Sequence, residues 1–524
     1  MVKNTLIRAT LVIIIMNLVS KVLGFVRETI IAREYGATYL TDAYNSAYTI
    51  PYFLQMVLGM ALVTSIVPVM TKYLLRGEQD EAWKIASITM NWTVLMMSLL
   101  AALGIVSAGA VVRTITPGFS GETAQLTTTL TMIMFPSIVL MGAGMLITGI
   151  LNSRRYFAMA AFAPAFANII IILAVFSLGY LGIQYLAWGT LLSMAGYLLI
   201  QIPALRKAGF RYVWSWDIRH PDVKNIFANL LPIFLGTAVN QIYLAINRYF
   251  ASGLGEGSIS ALNYAGKLMN LPMGIFVLAV SSAIFPTLSE HAAAGNRQNL
   301  AKTLNRGLKM VLLVTLPAAA GLMVLSSPVV KLLFERGAFD PTATAMTAEA
   351  LFYFSIGMFA MAVNMLLTRA YYALGDVRTP LLIGFLSILV NILASQELTI
   401  IMGHSGLAAA NTIAAVFCTI FLYLLLRRQL KDMGFKELVI TVLKGSAASI
   451  LTAITAWVVF IWVSRMIPGD GGRYLLVQVM AAITSGAAVY AAVILFLREK
   501  EAVLVVQRLS DKLSGYRGRK NDRY

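Results

Sequence analysis

The sequence predicts an all-α polytopic membrane protein: about fourteen transmembrane helices, as two pseudo-symmetric six-helix lobes plus a C-terminal helix pair. Three observations carry that expectation. Of 524 residues, 59% are hydrophobic and 12% charged, whereas soluble domains carry about 25% charged residues. Apolar runs of about 20 residues, the length that crosses a bilayer, recur without strand-like alternation, so their backbone bonds must close within helices. The runs also repeat along the chain at a spacing of about 220 residues.

In order, the expected spans are 6–33, 40–73, 84–112, 122–152, 158–180, 184–205, 225–252, 258–288, 303–334, 344–373, 379–402, 406–426, 438–464 and 472–497. The first begins with the almost wholly apolar stretch Ala9–Ser20 and has no small-residue cleavage site behind it, which reads as an uncleaved helix. Gly59, Pro68, Pro136, Pro232, Pro272, Pro286 and Pro317 fall inside spans, as in membrane helices that bend. Residues 1–205 form the expected N-lobe and 225–430 the C-lobe. The linker 206–224 holds Trp214 and Trp216 between Arg211 and Arg219, a composition suited to headgroup depth on the cytoplasmic side. Residues 431–497 hold the thirteenth and fourteenth spans, and 498–524 a basic cytoplasmic tail, amphipathic or loose.

The net charge is +18. With the N-terminus inside, 30 Lys and Arg residues fall on one side of the spans and 6 on the other. That asymmetry predicts an even span count with both termini cytoplasmic. The surplus suits topology and anionic lipid, not nucleic acid. Cys418 stands alone in an apolar span, so cysteine offers neither a disulfide nor a metal cluster. His220, His291 and His404 fall in loops or at span ends and are expected to be solvated.

The repeat aligns Ile50-Pro51 with Leu271-Pro272, Thr148 with Thr368, and Leu186-Ala187 with Leu407-Ala408. At a shift of 221, Arg27 falls on Arg248, Asp42 on Asn263 and Ser46 on Lys267. Six spans per repeat give both halves the same direction, the parallel repeat of one transporter class, with a cavity between the lobes.

Five cations remain inside spans: Lys21, Arg27, Arg248, Lys267 and Arg369. Burying a charge at the bilayer centre costs about 2.5–3.5 kcal/mol on insertion scales, and such residues usually face a wet cavity or a partner. Lys21 and Glu28, seven residues apart, share nearly one helix face; Arg27 lies about 100° round from Glu28. Gly24 between them permits a bend. Arg248 and Lys267 come from the matching spans of the second repeat, so four cations could converge on one diphosphate, arginine by its planar fork and lysine as a point charge. The alternative is that these charges pair with one another and lock helices. Arg369 is near a cytoplasmic end and can snorkel. Asp42, at the start of the second span, is either a helix cap or an outer gate. No Walker-type loop, His-Glu-x-x-His or nucleophile elbow is present, so neither an enzyme nor a cofactor is expected, and transport must draw on gradients or the membrane potential.

Ser20-Lys-Val-Leu-Gly-Phe-Val-Arg-Glu28, Leu40-Thr-Asp-Ala-Tyr44, Tyr264-Ala-Gly-Lys-Leu268 with Pro272, Phe334-Glu-Arg-Gly-Ala-Phe-Asp340 and Gly375-Asp-Val-Arg-Thr-Pro380 together resemble the MurJ (MviN) lipid II flippases. That family belongs to the multidrug/oligosaccharidyl-lipid/polysaccharide exporter superfamily. The resemblance covers nearly the whole chain. It implies a bacterial cytoplasmic-membrane protein that moves undecaprenyl-diphosphate-linked disaccharide-pentapeptide from the inner to the outer leaflet. It implies membrane lipids and cell-wall synthesis proteins as further partners, and a groove in the last helix pair for the polyprenyl tail. By position it makes Lys21, Arg27 and Lys267 cavity cations, Glu28 an acidic partner and Asp42 an outer-gate acid.

The chain departs from the family pattern in places. Lysine replaces the common arginine at Lys21 and Lys267. Gln55 stands where an arginine is common, and Arg248 is an untypical cation that is expected to compensate. Some members bind sodium through acids in the second lobe; Asn247, Asn391 and Thr412 are the neutral residues nearest that position. Two other readings remain at this point: a flippase for another polyprenyl-diphosphate glycan, and a cation-coupled multidrug antiporter. The antiporter should line its cavity with carboxylates, and this chain has more cations than acids there.

Overall fold

The computed structural model describes residues 2–430, 433–469 and 471–503. They form long helices: α1 (Val2–Tyr35), α2 (Tyr39–Leu75), α3 (Gln79–Val106), α4 (Gly121–Ser153), α5 (Phe157–Leu181), α6 (Ile183–Lys207), α7 (Pro221–Ala251), α8 (Ser258–Ala293), α9 (Arg297–Val324), α10 (Pro341–Ala373), α11 (Arg378–Met402), α12 (His404–Leu430), α13 (Phe435–Met466) and α14 (Gly472–Phe496). Among the described residues, 12 of these are long and apolar enough to cross a membrane. The other two, α1 and α7, have 34 and 31 residues, about 45–50 Å of helix, and stand at the first and seventh expected spans. The fold is therefore the expected all-α, multi-span membrane protein.

Two of the expected spans are shorter than read. Residues 84–112 break at Ser107, beyond which Ala108–Ile115 is a separate short helix. Residues 303–334 break at Leu325, before the short helix Ser326–Phe334. Pro328, with no N–H to give, falls in the first turn of that second piece, where proline is tolerated. Proline acts differently elsewhere: α4 is interrupted at Phe135-Pro136, and α8 passes through a π-helical stretch, Met273–Val277, directly after Pro272. Pro51 and Pro68 lie inside α2 without ending it.

The chain divides into two compact units, residues 1–260 with 336–343, and residues 261–335 with 344–503 of the described chain. In the first unit α1 packs on α5, α2 on α4, and α7 on α2. One core of this unit gathers Leu62, Ile66, Met70, Trp83, Ile88 and Leu146. The connector between α6 and α7 is extended and laid along α3. Val213 N–H donates to Ser87 Oγ (3.0 Å), Tyr212 OH to Asn91 Oδ1 (2.8 Å), Asn91 Nδ2 to the Ser215 carbonyl (2.9 Å) and Trp92 Nε1 to the Trp216 carbonyl (3.2 Å). These bonds satisfy the connector's backbone while Trp214 stays 75% exposed, the amphipathic pattern of an interfacial segment.

In the second unit the core gathers Leu304, Leu308, Leu366, Leu367, Leu422 and Leu426 around Tyr371, whose hydroxyl donates to the Leu422 carbonyl (2.9 Å). α13 packs on both α14 and α9. Lys309 pairs with Glu437 (2.8 Å), Arg306 with Glu501 (3.2 Å) and Lys444 with Glu499 (3.4 Å), while Tyr490 OH donates to the Leu313 carbonyl (2.6 Å). The start of the tail is thus docked: Glu499 and Glu501 are buried, and Thr441 Oγ1 donates to Glu499 (2.7 Å). The rest of the basic tail, 504–524, lies outside the described residues.

Two histidines differ from expectation. His220 Nδ1 accepts from the Asp222 N–H (3.2 Å) while Nε2 faces Glu81 (3.2 Å), and His404 Nε2 meets the Met346 carbonyl (2.9 Å). Both side chains cap or tie helix ends instead of standing in water.

Asp376, in the loop before α11, accepts from the Thr379 N–H (3.0 Å) and hydroxyl (2.7 Å). The backbone bond from Thr379, then its hydroxyl bond, hold this carboxyl below the ordinary aspartate range. Asp376→Ala is expected to cost about 0.5–2 kcal/mol at neutral pH, as for a lost cap. A depressed carboxyl contributes its stability above the unfolded pKa, about 3.9, and loses it as pH falls through the folded value. The difference in melting temperature between wild type and variant should therefore close in acid.

Candidate functional site

α1 carries the charged segment. Glu28 is 6% exposed and pairs with the Arg27 Nη2 beside it in sequence. Arg27, with a quarter of its side chain exposed, also donates from Nη1 to Asn168 Oδ1 on α5 (2.9 Å). Asn168 Nδ2 in turn donates to the Ser20 carbonyl (3.2 Å). A Cβ on Gly24 would sit 3.5 Å from that same amide. That is ordinary van der Waals contact, and α1 runs unbroken through Gly24 from Val2 to Tyr35. A guanidinium has five N–H donors. The contacts of Arg27 use two, and its buried Nε has no partner. The group is fixed by Glu28 and Asn168, with three of its donors unspent. Lys21 is exposed.

α2 passes beside this cluster. Tyr44 OH bonds Thr190 Oγ1 on α6 (2.8 Å), and Tyr48 OH donates to Gln55 Oε1 (3.3 Å). Gln55, 4% exposed, donates from Nε2 to Ser137 Oγ on α4 (2.7 Å). Gln55 thus spends its amide within the first unit.

Asp42 lies at the other extreme of α2, 3% exposed. Its Oδ2 accepts from the Gly257 N–H (2.8 Å), and its Oδ1 from the Ser260 N–H (2.7 Å) and hydroxyl (2.6 Å). Arg248 Nη1 donates to the Ile259 carbonyl in the same turn (3.3 Å), and its charge interacts with that of Asp42. Asn45 Nδ2 reaches Ser260 Oγ (3.3 Å). Arg248 therefore belongs to the Asp42 end. Gln55 is thirteen residues further along α2, about 20 Å of helix, and the structure does not bring the two together.

Gly257 makes this turn possible. Its φ is +83°, and a Cβ there would overlap the Ala37 carbonyl oxygen. Gly257→Ala is expected to destabilise the protein by at least about 1–2 kcal/mol, the cost of a left-handed non-glycine residue, before any overlap is relieved. A lowered melting midpoint in detergent checks it.

In the second unit Lys267 is half-buried on α8, ahead of the π-helical stretch. Asn391 is fully buried on α11; its Nδ2 donates to Asn411 Oδ1 (3.1 Å), and its own Oδ1 has no partner. Ser395 Oγ, one turn on, is buried and equally unpartnered. Thr412 Oγ1 is spent on the Tyr353 carbonyl (2.8 Å). Asn247 is a half-buried residue of the first unit. Sequence reading passed over Asn168 and Ser395. The signal for Asn168 was available: an amide alone in the otherwise apolar run of α5.

The family profile described as "Lipid II flippase MurJ" matches residues 31–482. This chain belongs to the MurJ family. The lipid II flippase MurJ of Burkholderia cenocepacia is 31% identical over 436 residues, 81% of this chain and 84% of that protein. The probable lipid II flippase MurJ of Rhizobium meliloti is 34% identical over 407 residues, 75% and 76% of the two chains. A solved structure titled "Lipid II flippase MurJ, inward closed conformation" superposes with a TM-score of 0.78 at 25% identity, covering 93% of this MurJ-family chain and all of that one. An inward-facing multidrug MATE transporter of the MOP superfamily shares the fold, with a TM-score of 0.66 at 15% identity over 79% and 95% of the chains. Membership marks the chain as a transporter.

Proposed function

We propose that this chain flips lipid II, carrying the disaccharide-pentapeptide head on undecaprenyl diphosphate from the inner to the outer leaflet by alternating access. The observation that carries the reading is Arg27. It is a guanidinium held by Glu28 and Asn168 inside a multi-span chain of the MurJ family, with its buried Nε and further donors unspent. Such a group suits a phosphate oxygen, which accepts from a planar fork. Lys21 and Lys267 are assigned the remaining diphosphate charge. Arg248 is assigned to the Asp42 gate rather than to substrate, and Gln55 to holding Tyr48. Expression in a MurJ-depleted strain tests the function. Restored growth with lipid II delivered to the outer leaflet is expected; a chain present in the membrane that delivers none would refute it, and delivery of a different glycan would select the other flippase reading.

Both termini are assigned to the cytoplasm, on the strength of the 30-to-6 cation asymmetry. Residues 1–205 and 225–430 are assigned as the rocking lobes, 206–224 as their interfacial linker, and α13–α14 as the polyprenyl groove. The exposed Leu443, Ile450, Ile454, Trp457 and Met480 on that pair favour lipid contact. A negative-inside potential would return an emptied cationic site inward by about 2.3 kcal/mol per charge moved through 100 mV. A monovalent cation is assigned to Asn391 and Ser395, whose buried oxygens are uncharged and unpartnered. Sodium should then raise the melting temperature of wild type and not of Asn391→Ala; equal shifts would remove the assignment.

A further inference from the structure

Tyr44, Tyr48 and Tyr52 recur every fourth residue of α2 and form a ladder of rings. Tyr44 and Tyr48 are nearly parallel, 11° apart with centroids at 6.3 Å; Tyr48 and Tyr52 are tilted by 46° at 5.6 Å. An aromatic row at helical spacing is usually core, and Tyr44 is: it is 8% exposed and its hydroxyl is spent on Thr190. The next two rungs are not. Tyr48 and Tyr52 are half-buried, and the same row continues through half-buried Met56 to Met60, 52% exposed, and exposed Thr64.

The ladder also does not face plain hydrocarbon. The Arg27 charge interacts with all three phenols, and its buried Nε has no hydrogen-bond partner. Tyr48 is held in place by its bond to Gln55, itself anchored on Ser137. Rings fixed in this way present flat, amphipathic area at little entropic cost. Their negative faces attract polarised C–H groups. A pyranose offers such C–H groups on its faces and hydroxyls on its rim. Successive rungs rise about 6 Å along the helix, comparable to the repeat of linked pyranose rings.

We propose that Tyr48 and Tyr52 form a stacking subsite for the sugar rings of a diphosphate-linked saccharide whose phosphate is held at Arg27. This rests on the flippase reading and adds to it the part of the substrate that the cations cannot recognise. Discrimination would come from the rings: a polyprenyl diphosphate without sugar engages Arg27 and leaves the strip empty.

The test measures binding of lipid II and of undecaprenyl diphosphate to purified protein in nanodiscs. It compares wild type, the Tyr48→Leu/Tyr52→Leu pair and the Tyr48→Phe/Tyr52→Phe pair, each checked for its melting midpoint. Wild type should prefer lipid II by at least about tenfold, the scale that one or two aromatic stacks give. The Leu pair should lose that preference with undecaprenyl diphosphate affinity unchanged, and the Phe pair should keep it. Equal weakening toward both lipids, an unchanged preference in the Leu pair, or equal losses in the Phe and Leu pairs would each overturn the subsite. Wild type that binds neither lipid would overturn the flippase reading itself.

Discussion

Arg27→Ala is expected to abolish rescue of a MurJ-depleted strain and to cut lipid II delivery to the outer leaflet at least about 100-fold. Truncating one partner of a buried, hydrogen-bonded charge pair costs about 2–5 kcal/mol of binding, and each 1.4 kcal/mol is tenfold, so about 3 kcal/mol is about 100-fold. Two effects are mixed in that number. The substitution removes the guanidinium donors, and it takes from Glu28, 6% exposed, its ion pair with Arg27. A second change separates them. In Arg27→Ala/Glu28→Gln the carboxylate charge that faced Arg27 is removed as well, so the melting midpoint should return toward wild type while delivery stays lost. Arg27→Lys should sit between, because an ammonium keeps the charge but not the fork. If the double variant delivered lipid II at the wild-type rate, Arg27 would be only the lock on Glu28.

The sequence made the helices legible because bilayer-length apolar runs have one physical solution. The early end at Ser107 was not legible, because the run stays apolar through it; at Leu325 the triplet Ser326-Ser327-Pro328 was a signal that the surrounding apolar run masked. The charged segment of α1 was equally visible, since an ion in hydrocarbon announces itself by cost. What those charges bond to was not. Arg27 was readable as a pair with Glu28, but Asn168 comes from 141 residues away. The repeat placed Arg248 over Arg27 by register. Its contact with Ile259 and its nearness to Asp42 depend on the turn into α8, where register says nothing about side-chain direction. The tyrosine ladder was spelled out at fixed intervals in α2, yet periodicity cannot tell a core row from an accessible one.

Asp42→Ala is expected to loosen the turn that this residue holds in the first unit, and to stop transport. The alternatives at the outset were a helix cap and a gate. The donors decide which helix is served: Asp42 sits in the first turn of α2 but accepts from Gly257 and Ser260, at the first turn of α8. Two helix N-termini, both favouring negative charge, thus meet one carboxylate. Its loss strands three donors and removes the charge opposite Arg248. Hydrogen bonds to a charged group contribute about 1.5–3 kcal/mol each and are not additive, so a loss of about 3–5 kcal/mol in holding that turn is expected. Asp42→Asn should recover only part, since one end of an amide is a donor facing a donor. With Cys418→Ser as background, a cysteine at Ser258 reports the turn directly. Its labelling by a membrane-impermeant maleimide should quicken at least about tenfold in Asp42→Ala, and lipid II delivery should fall with it. Faster labelling with delivery intact would make Asp42 a structural clasp and move the gate elsewhere; unchanged labelling would mean that Asn45 and Arg248 hold the turn without it.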